Sequence, residues 1–365
     1  MNVLYLITNN GGMSHYTSML ANSISKIEYP TLIVPKDFIF GCISPNVEVK
    51  KVLDTPVGFS FKKMIASCKG ISMIKDISPD IIHITVSYPL TNLILGLFSK
   101  CPLVLTVHDP IPHRGEIKNN WRTFLANMSD RLIFDRSDKI IVHSDVLKKE
   151  LIKRNISEDK ICIIPHGDYS FFTKYKKNIE PTKNNILFFG RIIDYKGLEY
   201  LIQSIPKIAK EIPDIKLIIA GKGDISKYQS LIDKNASHIK VYNEYITDDM
   251  VAGLFESTEL LVLPYIGASQ SGPLHIAYSF KRPVIATNVG ALPEVIEDGK
   301  TGLIIPPKDI DALVGAIIKL LKNDNLRKDM GDNAYMKMKK EMSWDIIADK
   351  TIKVYKDVIQ LNNNK

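Results

Sequence analysis

Four short stretches gather the residue types that hold or move charge, and each follows an apolar run. In FFGRIIDYKG (188–197), Gly190 permits a tight turn, and Arg191 and Lys196 put two cations into one loop. An arginine fork and a lysine point charge can together clamp a diphosphate, although the same residues also read as a solvated basic loop. In YIGASQSGPLHIAYSFKRPVIAT (265–287), Ser271 is a natural N-cap, and amides at 271–273 can face an anion. His275, one turn further on, reads either as a ligand or as a packed histidine. NNGGM (9–13) puts Gly11 and Gly12 before a helix pattern, which suits backbone approach to a phosphate or a plain turn. TVHDPIPHRGE (106–116) gathers His108, Asp109, His113 and Arg114, but Pro110 and Pro112 forbid a helix that carries both imidazoles on one face. That argues against a metal site.

Other catalytic signatures are missing. The chain has no G-x-S-x-G elbow, no Walker loop, no HExxH and no dinucleotide fingerprint after its first strand. Its four cysteines, Cys42, Cys68, Cys101 and Cys162, are far apart, which suits reduced thiols in a cytoplasmic protein and not a structural zinc. There is no RNA-binding aromatic signature and Trp numbers only 2, so a nucleic-acid partner is not expected.

The elements that must position these loops alternate along the chain. VLYLIT (3–8), TLIVP (31–35), DIIHITV (80–86), PLVLTVHD (102–109), KIIVHS (139–144) and KICIIPHG (160–167) read as strands. Helical stretches follow Gly12 to about Ser25 and lie near 61–76, 89–99, 119–135 and 145–154. The pattern lapses over TKYKKNIEPTKN (173–184), which reads as a linker, then restarts. NILFFG (185–190), IKLIIAG (215–221), ELLVLP (259–264), PVIAT (283–287) and TGLIIP (301–306) are strand candidates, with helices at 197–211, 272–280 and 309–322. A final helix is expected from Ser343 to about 360. The alternation predicts an α/β chain with two doubly wound parallel sheets, and ligands bind such sheets beyond the carboxyl ends of the strands. The chemical loops all lie there.

Length and composition agree with that layout. At 365 residues, 45% hydrophobic and 24% charged, with a mean hydropathy of −0.01, the chain suits about two folded domains and excludes disordered and collagen-like classes. No apolar stretch reaches the roughly 18 residues of a membrane span, and the first residues lack the basic start of a signal peptide. Residues 1–184 hold 24 basic and 17 acidic residues, a net of +7, out of +8 for the whole chain. A basic first half suits an anionic partner such as a membrane surface, with Lys62, Lys63 and Lys69 or Lys148, Lys149, Lys153 and Arg154 as candidate clusters; solubility alone is the alternative.

Taken in order, GGMSHY (11–16), TVHDP (106–110), IIVHS (140–144), IIPHGDY (163–169), FFGRIIDYKGLEYLIQSI (188–205), IIAGKGD (218–224), ELLVLPY (259–265), SQSGP (269–273) and RPVIATNVGALPEVIEDGKTGLIIPPKD (282–309) resemble a retaining glycosyltransferase of family 4 with the GT-B fold. The resemblance implies two Rossmann-like domains facing a central cleft. Residues 1–172 would form the acceptor side, 185–342 would hold the nucleotide sugar, and 343–365 would cross back to the first domain. It implies that Arg191 and Lys196 hold the donor diphosphate, helped by Gly12, Gly190, Gly221, Gln270, Ser271, Gly272 and Pro273. Tyr245 and Ile246 would face the nucleobase and His108 the transferred sugar. The implied donor is a UDP- or GDP-sugar, the acceptor a glycan or lipid-linked hydroxyl in bacterial polysaccharide synthesis, and no metal or cofactor is expected.

One departure stands out. The family usually has two glutamates eight positions apart in the third loop, where this chain has Ala268 and Ile276. A same-face mechanism without a carboxylate nucleophile is compatible with that change. So is a non-catalytic GT-B paralogue, and another GT-B activity, an epimerase or a phosphorylase, is a further alternative.

Overall fold

Runs such as VLYL, LVLTV and KLIIA have no polar alternate, which suits strands covered on both faces. In the computed structural model, described for residues 1–7, 12–38, 42–53, 74, 76–86, 89, 92, 95, 100–109 and 121–363, they are such strands. The chain divides into two units, Met1–Gly167 with Ser343–Lys365, and Asp168–Met342.

The first unit contains β1 (Asn2–Leu6), α1 (Gly12–Ile24), β2 (Tyr29–Pro35), β3 (Glu48–Leu53), β4 (Ile81–Ile84), β5 (Leu103–Val107), α2 (Trp121–Arg136), β6 (Lys139–Val142), α3 (Asp145–Lys153) and β7 (Ile161–Ile163). Its seven strands lie in the order β3-β2-β1-β4-β5-β6-β7, every pair parallel. Alternate residues of β1 feed two cores. Val3 and Tyr5 face one with Leu20 and Ile24 of α1, while Leu4 and Leu6 face the other with Leu147 and Leu151 of α3.

The second unit contains β8 (Asn185–Phe189), α4 (Leu198–Glu211), β9 (Lys216–Ala220), α5 (Gln229–Lys234), β10 (Ile239–Tyr242), α6 (Asp248–Ser257), β11 (Leu260–Leu263), α7 (Gly272–Ser279), β12 (Val284–Thr287), α8 (Leu292–Val295), β13 (Gly302–Ile305), α9 (Ile310–Leu321) and α10 (Asp324–Glu341). The order is β10-β9-β8-β11-β12-β13, again all parallel. Both units are Rossmann-like. Their strand order reverses between β1 and β4 and between β8 and β11, and ligands of doubly wound sheets bind beyond the carboxyl ends of the strands at such reversals.

The last helix, α11 (Trp344–Asn363), packs in the first unit. Trp344, Ile347, Ala348, Thr351, Ile352, Tyr355 and Val358 are buried at helical spacing. Inside the apolar face runs a buried polar chain. The Tyr355 hydroxyl is 2.8 Å from the Tyr5 hydroxyl and 2.5 Å from His83 Nδ1, and His83 Nε2 is 2.7 Å from Thr106 Oγ1. These bonds tie α11 to β1, β4 and β5.

Several expectations need correction. The unit boundary falls at Gly167/Asp168, not after 172, because Phe171 and Phe172 are buried in a short helical turn packed on α6 and α7. The stretch 173–184 is no free linker: Glu256 accepts from the amides of Lys177 and Asn178, and Glu259 from that of Asn184. The sequence reading missed β3 and β10, whose lysines suit sheet edges, and also α5, α6 and α10. The expected helices near 61–76 and 89–99 lie largely outside the described residues.

Candidate functional site

Gly190 follows β8, and its φ of +116° favours glycine. A methyl group placed there would strike the Lys196 ammonium and stand 3.7 Å from Pro273 Cγ. Gly221, just after β9, has a φ of +143° and lies against the Gly190 carbonyl. Gly197 lies against the carbonyl of Pro264, just past the end of β11, and the Ile266 amide donates to the Tyr195 carbonyl at 2.8 Å. The loops after β8, β9 and β11 are therefore interlocked at the strand-order reversal.

Lys196 is the electrostatic centre of this arrangement. It is only 8% exposed, and its Nζ stands 5.4 Å from the centroid of the Tyr265 ring. Burial and the nearby Arg191 guanidinium push its pKa down to about 8. Among the described residues no carboxylate contributes to that shift. Asp194, in the same loop, pairs with Lys227. A buried cation beside a second cation is costly in isolation and is relieved by an anion.

The third loop supplies fewer amides than its sequence suggests. Ser271 does occupy the N-cap of α7, but its hydroxyl makes no capping bond and stands 3.4 Å from the Tyr265 hydroxyl. Pro273 has no N–H, so within 271–273 only Ser271 and Gly272 can donate. Gln270 is half-buried beside them, and His275 is buried inside the helix. Tyr245, beyond β10, is 67% exposed, whereas Ile246 is buried. Gly190, Lys196, Gly221 and Pro273 are thus brought together; Arg191 is exposed at the edge of that group, and Tyr245 is separated from β8 by β9 along the sheet.

In the first unit, Gly12 opens α1 beyond β1, while Asn9, Asn10 and Gly11 lie outside the described residues, as do His113 and Arg114. His108 follows β5 and is buried. Its neighbours are two histidines to which the sequence reading assigned no role. β5 and β6 pair Val107 with Val142, so His108 and His143 leave adjacent strands side by side, and His166 follows β7. His143 Nε2 is 2.9 Å from His108 Nδ1. Tyr16 of α1 meets His108 edge-on at 4.7 Å and Trp344 at 5.2 Å. Burial pushes His143 down to about 3 and His166 to about 4, and holds His108 well below the usual imidazole range, so all three are neutral. The overlooked signal was the V-H pair that ends both TVH and IVH.

The profile of Glycosyl transferases group 1 matches residues 183–323, and that of Glycosyltransferase Family 4 matches residues 11–167. The chain belongs to the group 1, family 4 glycosyltransferases. An uncharacterized glycosyltransferase of Methanocaldococcus jannaschii is 29% identical over 240 residues, which cover 62% of this chain and 61% of that protein. Sucrose-phosphate synthase from Thermosynechococcus elongatus superposes with a TM-score of 0.79 at 18% identity, covering 99% of both chains. Anabaena HepE in complex with UDP-glucose superposes with a TM-score of 0.75 at 14% identity, covering 98% of this chain and all of that one, 100%. These likenesses show the GT-B fold.

In this glycosyltransferase the places of the two usual family glutamates hold Ala268 and Ile276. The Ala268 carbonyl lies against Gly290, and Ile276 is buried in α7. The candidate membrane clusters are also qualified. Lys62, Lys63 and Lys69 lie outside the described residues, and in the second cluster Lys148 pairs with Glu158 at 2.8 Å and Lys153 with Glu150 at 2.6 Å. Among the described residues no helix is long and apolar enough to cross a membrane.

Proposed function

We propose that this glycosyltransferase moves a glycosyl group from a UDP- or GDP-sugar to an acceptor hydroxyl with retention of anomeric configuration, in bacterial polysaccharide or lipid-linked glycan synthesis. The observation that carries the reading is Lys196, a buried cation set against Gly190 and Pro273 at the strand-order reversal. The solved HepE complex with UDP-glucose, on the same fold, supports a nucleotide-sugar donor.

As the glycosidic bond to the donor breaks, negative charge grows on the departing diphosphate. Lys196, Arg191 and the two amides at the start of α7 stabilise that charge. The desolvated lysine contributes most, because its field is poorly screened. These protein cations take the charge-stabilising role, so no metal is required. With Asp194 engaged by Lys227, the loop around Lys196 offers charge stabilisation, not a carboxylate nucleophile. The acceptor then attacks from the face that the diphosphate leaves, and a phosphate oxygen takes its proton. His108 orients the transferred sugar.

A panel of UDP- and GDP-sugars, read by release of the nucleoside diphosphate, tests this reading, with NMR of the product reporting the anomeric configuration. Turnover with inversion would contradict retention. Ala268 and Ile276 favour one second reading, a nucleotide-binding GT-B protein without turnover, which the panel would reveal as binding without release.

A further inference from the structure

We propose that Lys196 is also a modification site: an acyl phosphate whose phosphoryl group is held at the amides of Ser271 and Gly272 hands its acyl group to Lys196 Nζ, which switches the donor site off. The place of the phosphoryl group rests on the function proposed above; the nucleophile does not.

A lysine amine becomes a nucleophile when its surroundings favour the uncharged form, and burial and a neighbouring cation both do that. Lys196 has both. Among the described residues it is the one lysine that is buried. Its Nζ faces the Tyr265 ring, lies where a side chain on Gly190 would begin, and has the Arg191 guanidinium nearby. The carboxylate closest to it in sequence, Asp194, is engaged by Lys227. Exposed lysines differ in kind: hydrogen bonds to Glu158 and Glu297 hold Lys148 and Lys300 above the usual lysine range. Burial and Arg191 bring Lys196 down to about 8, so about a tenth of it is free amine at pH 7, against less than about a thousandth of an ordinary lysine.

The amine is selected by its surroundings, and the reagent by the anion cradle. Pro273 Cγ stands 3.7 Å from the place of a Gly190 Cβ, the same place that Lys196 Nζ crowds. The first turn of α7 and the amine therefore share one wall at Gly190. An anion drawn to the amides of that turn and to Arg191 is drawn to the amine as well. A neutral acylating agent has no such anchor.

The step balances without a further reactant. The ammonium first gives a proton to water. The nitrogen lone pair then forms a bond to the acyl carbon, the bond from that carbon to the phosphate oxygen breaks, and inorganic phosphate leaves with the electron pair. The extra proton on nitrogen passes to the departing phosphate. Nothing is oxidised or reduced. A charged ammonium has become a neutral amide, which cannot balance a diphosphate.

Acetyl phosphate is the probe, with mass spectrometry of the digested protein following each lysine over time. At neutral pH, Lys196 should be acetylated at least about tenfold faster than the median lysine. Acetic anhydride, which carries no phosphoryl group, should lose most of that preference. UDP or GDP should protect Lys196 and leave the surface lysines unchanged. Once Lys196 is acetylated, nucleotide affinity should fall at least about tenfold. Acetylation of Lys196 no faster than the median lysine would overturn the proposal. So would an equal preference with the two reagents, or nucleotide affinity unchanged by the modification. The two readings fail separately. Fast acetylation that neither nucleotide slows would count against the proposed function and leave the modification standing. Nucleotide binding by protein whose Lys196 resists acetyl phosphate would overturn the modification and leave the function standing.

Discussion

Lys196 concentrates the chemistry at the residue scale. Replacing it or Arg191 with alanine removes charge that balances a departing diphosphate, and each change is expected to lower turnover at least about tenfold, roughly 1.4 kcal/mol of barrier, with the fold intact. Steady-state rates beside circular dichroism check both halves of that statement. The lysine also sets a pH dependence. Its pKa in the unliganded protein is about 8, and an anion beside the ammonium raises it. Binding of a nucleoside diphosphate should then take up a proton near pH 8, and affinity should fall as pH rises above that value. Calorimetry in buffers of different ionisation enthalpy measures the uptake, and affinity that stays level from pH 7 to 9.5 would argue against a buried, titrating lysine at the site. These residues were legible in the sequence because glycine and two cations cluster between a strand and a helix. The interplay of Lys196 with Tyr265 was not, because 69 positions separate them and it is the β8–β11 pairing that brings their loops together.

At the scale of elements, α11 matters most for the first unit. Its apolar face was readable from helical spacing, whereas the buried chain from Tyr5 through Tyr355 to His83 and Thr106 was not, since its members are spread over 350 positions. Tyr355→Phe keeps the ring and deletes the hydroxyl that bridges two buried groups. The expected cost is about 1–3 kcal/mol, seen as a lower urea midpoint with an unchanged slope. A variant as stable as the wild type would mean that the hydroxyl is not what fastens the helix. The glycine-lined rim of the second unit makes a matching case. Gly221→Ala meets both a φ of +143° and the Gly190 carbonyl, so it should weaken nucleotide binding and stability together. The edge strands β3 and β10 escaped the sequence reading for a physical reason. Edges tolerate lysines that blunt aggregation, and those lysines hide the apolar signal.

For the whole molecule, buried histidines set the response to acid. His83 and His143 are pushed down to about 3, His166 to about 4, and His108 lies well below its usual value, all by burial. The unfolded chain takes up these protons near pH 6.5 while the folded chain refuses them. Stability is therefore full above about 6.5 and falls as pH drops towards 4, by about 1.4 kcal/mol per pH unit for each histidine. Melting temperatures at pH 7.5, 6 and 5 should decline across a window in which ordinary carboxylates stay ionised; equal values would contradict neutral burial. The basic first half has a separate test. Liposome sedimentation should show weak, salt-sensitive binding at most, because Glu158 and Glu150 already match Lys148 and Lys153.

The central claim is that the second unit holds a nucleoside diphosphate through Lys196. Titrating UDP and GDP into wild-type protein and into folded Lys196→Ala protein tests it most directly. One nucleotide is expected to bind the wild type and to lose at least about tenfold in affinity with the variant, since a buried charge-assisted contact is lost. Equal affinity in both proteins, or no binding of either nucleotide to the wild type, would contradict it.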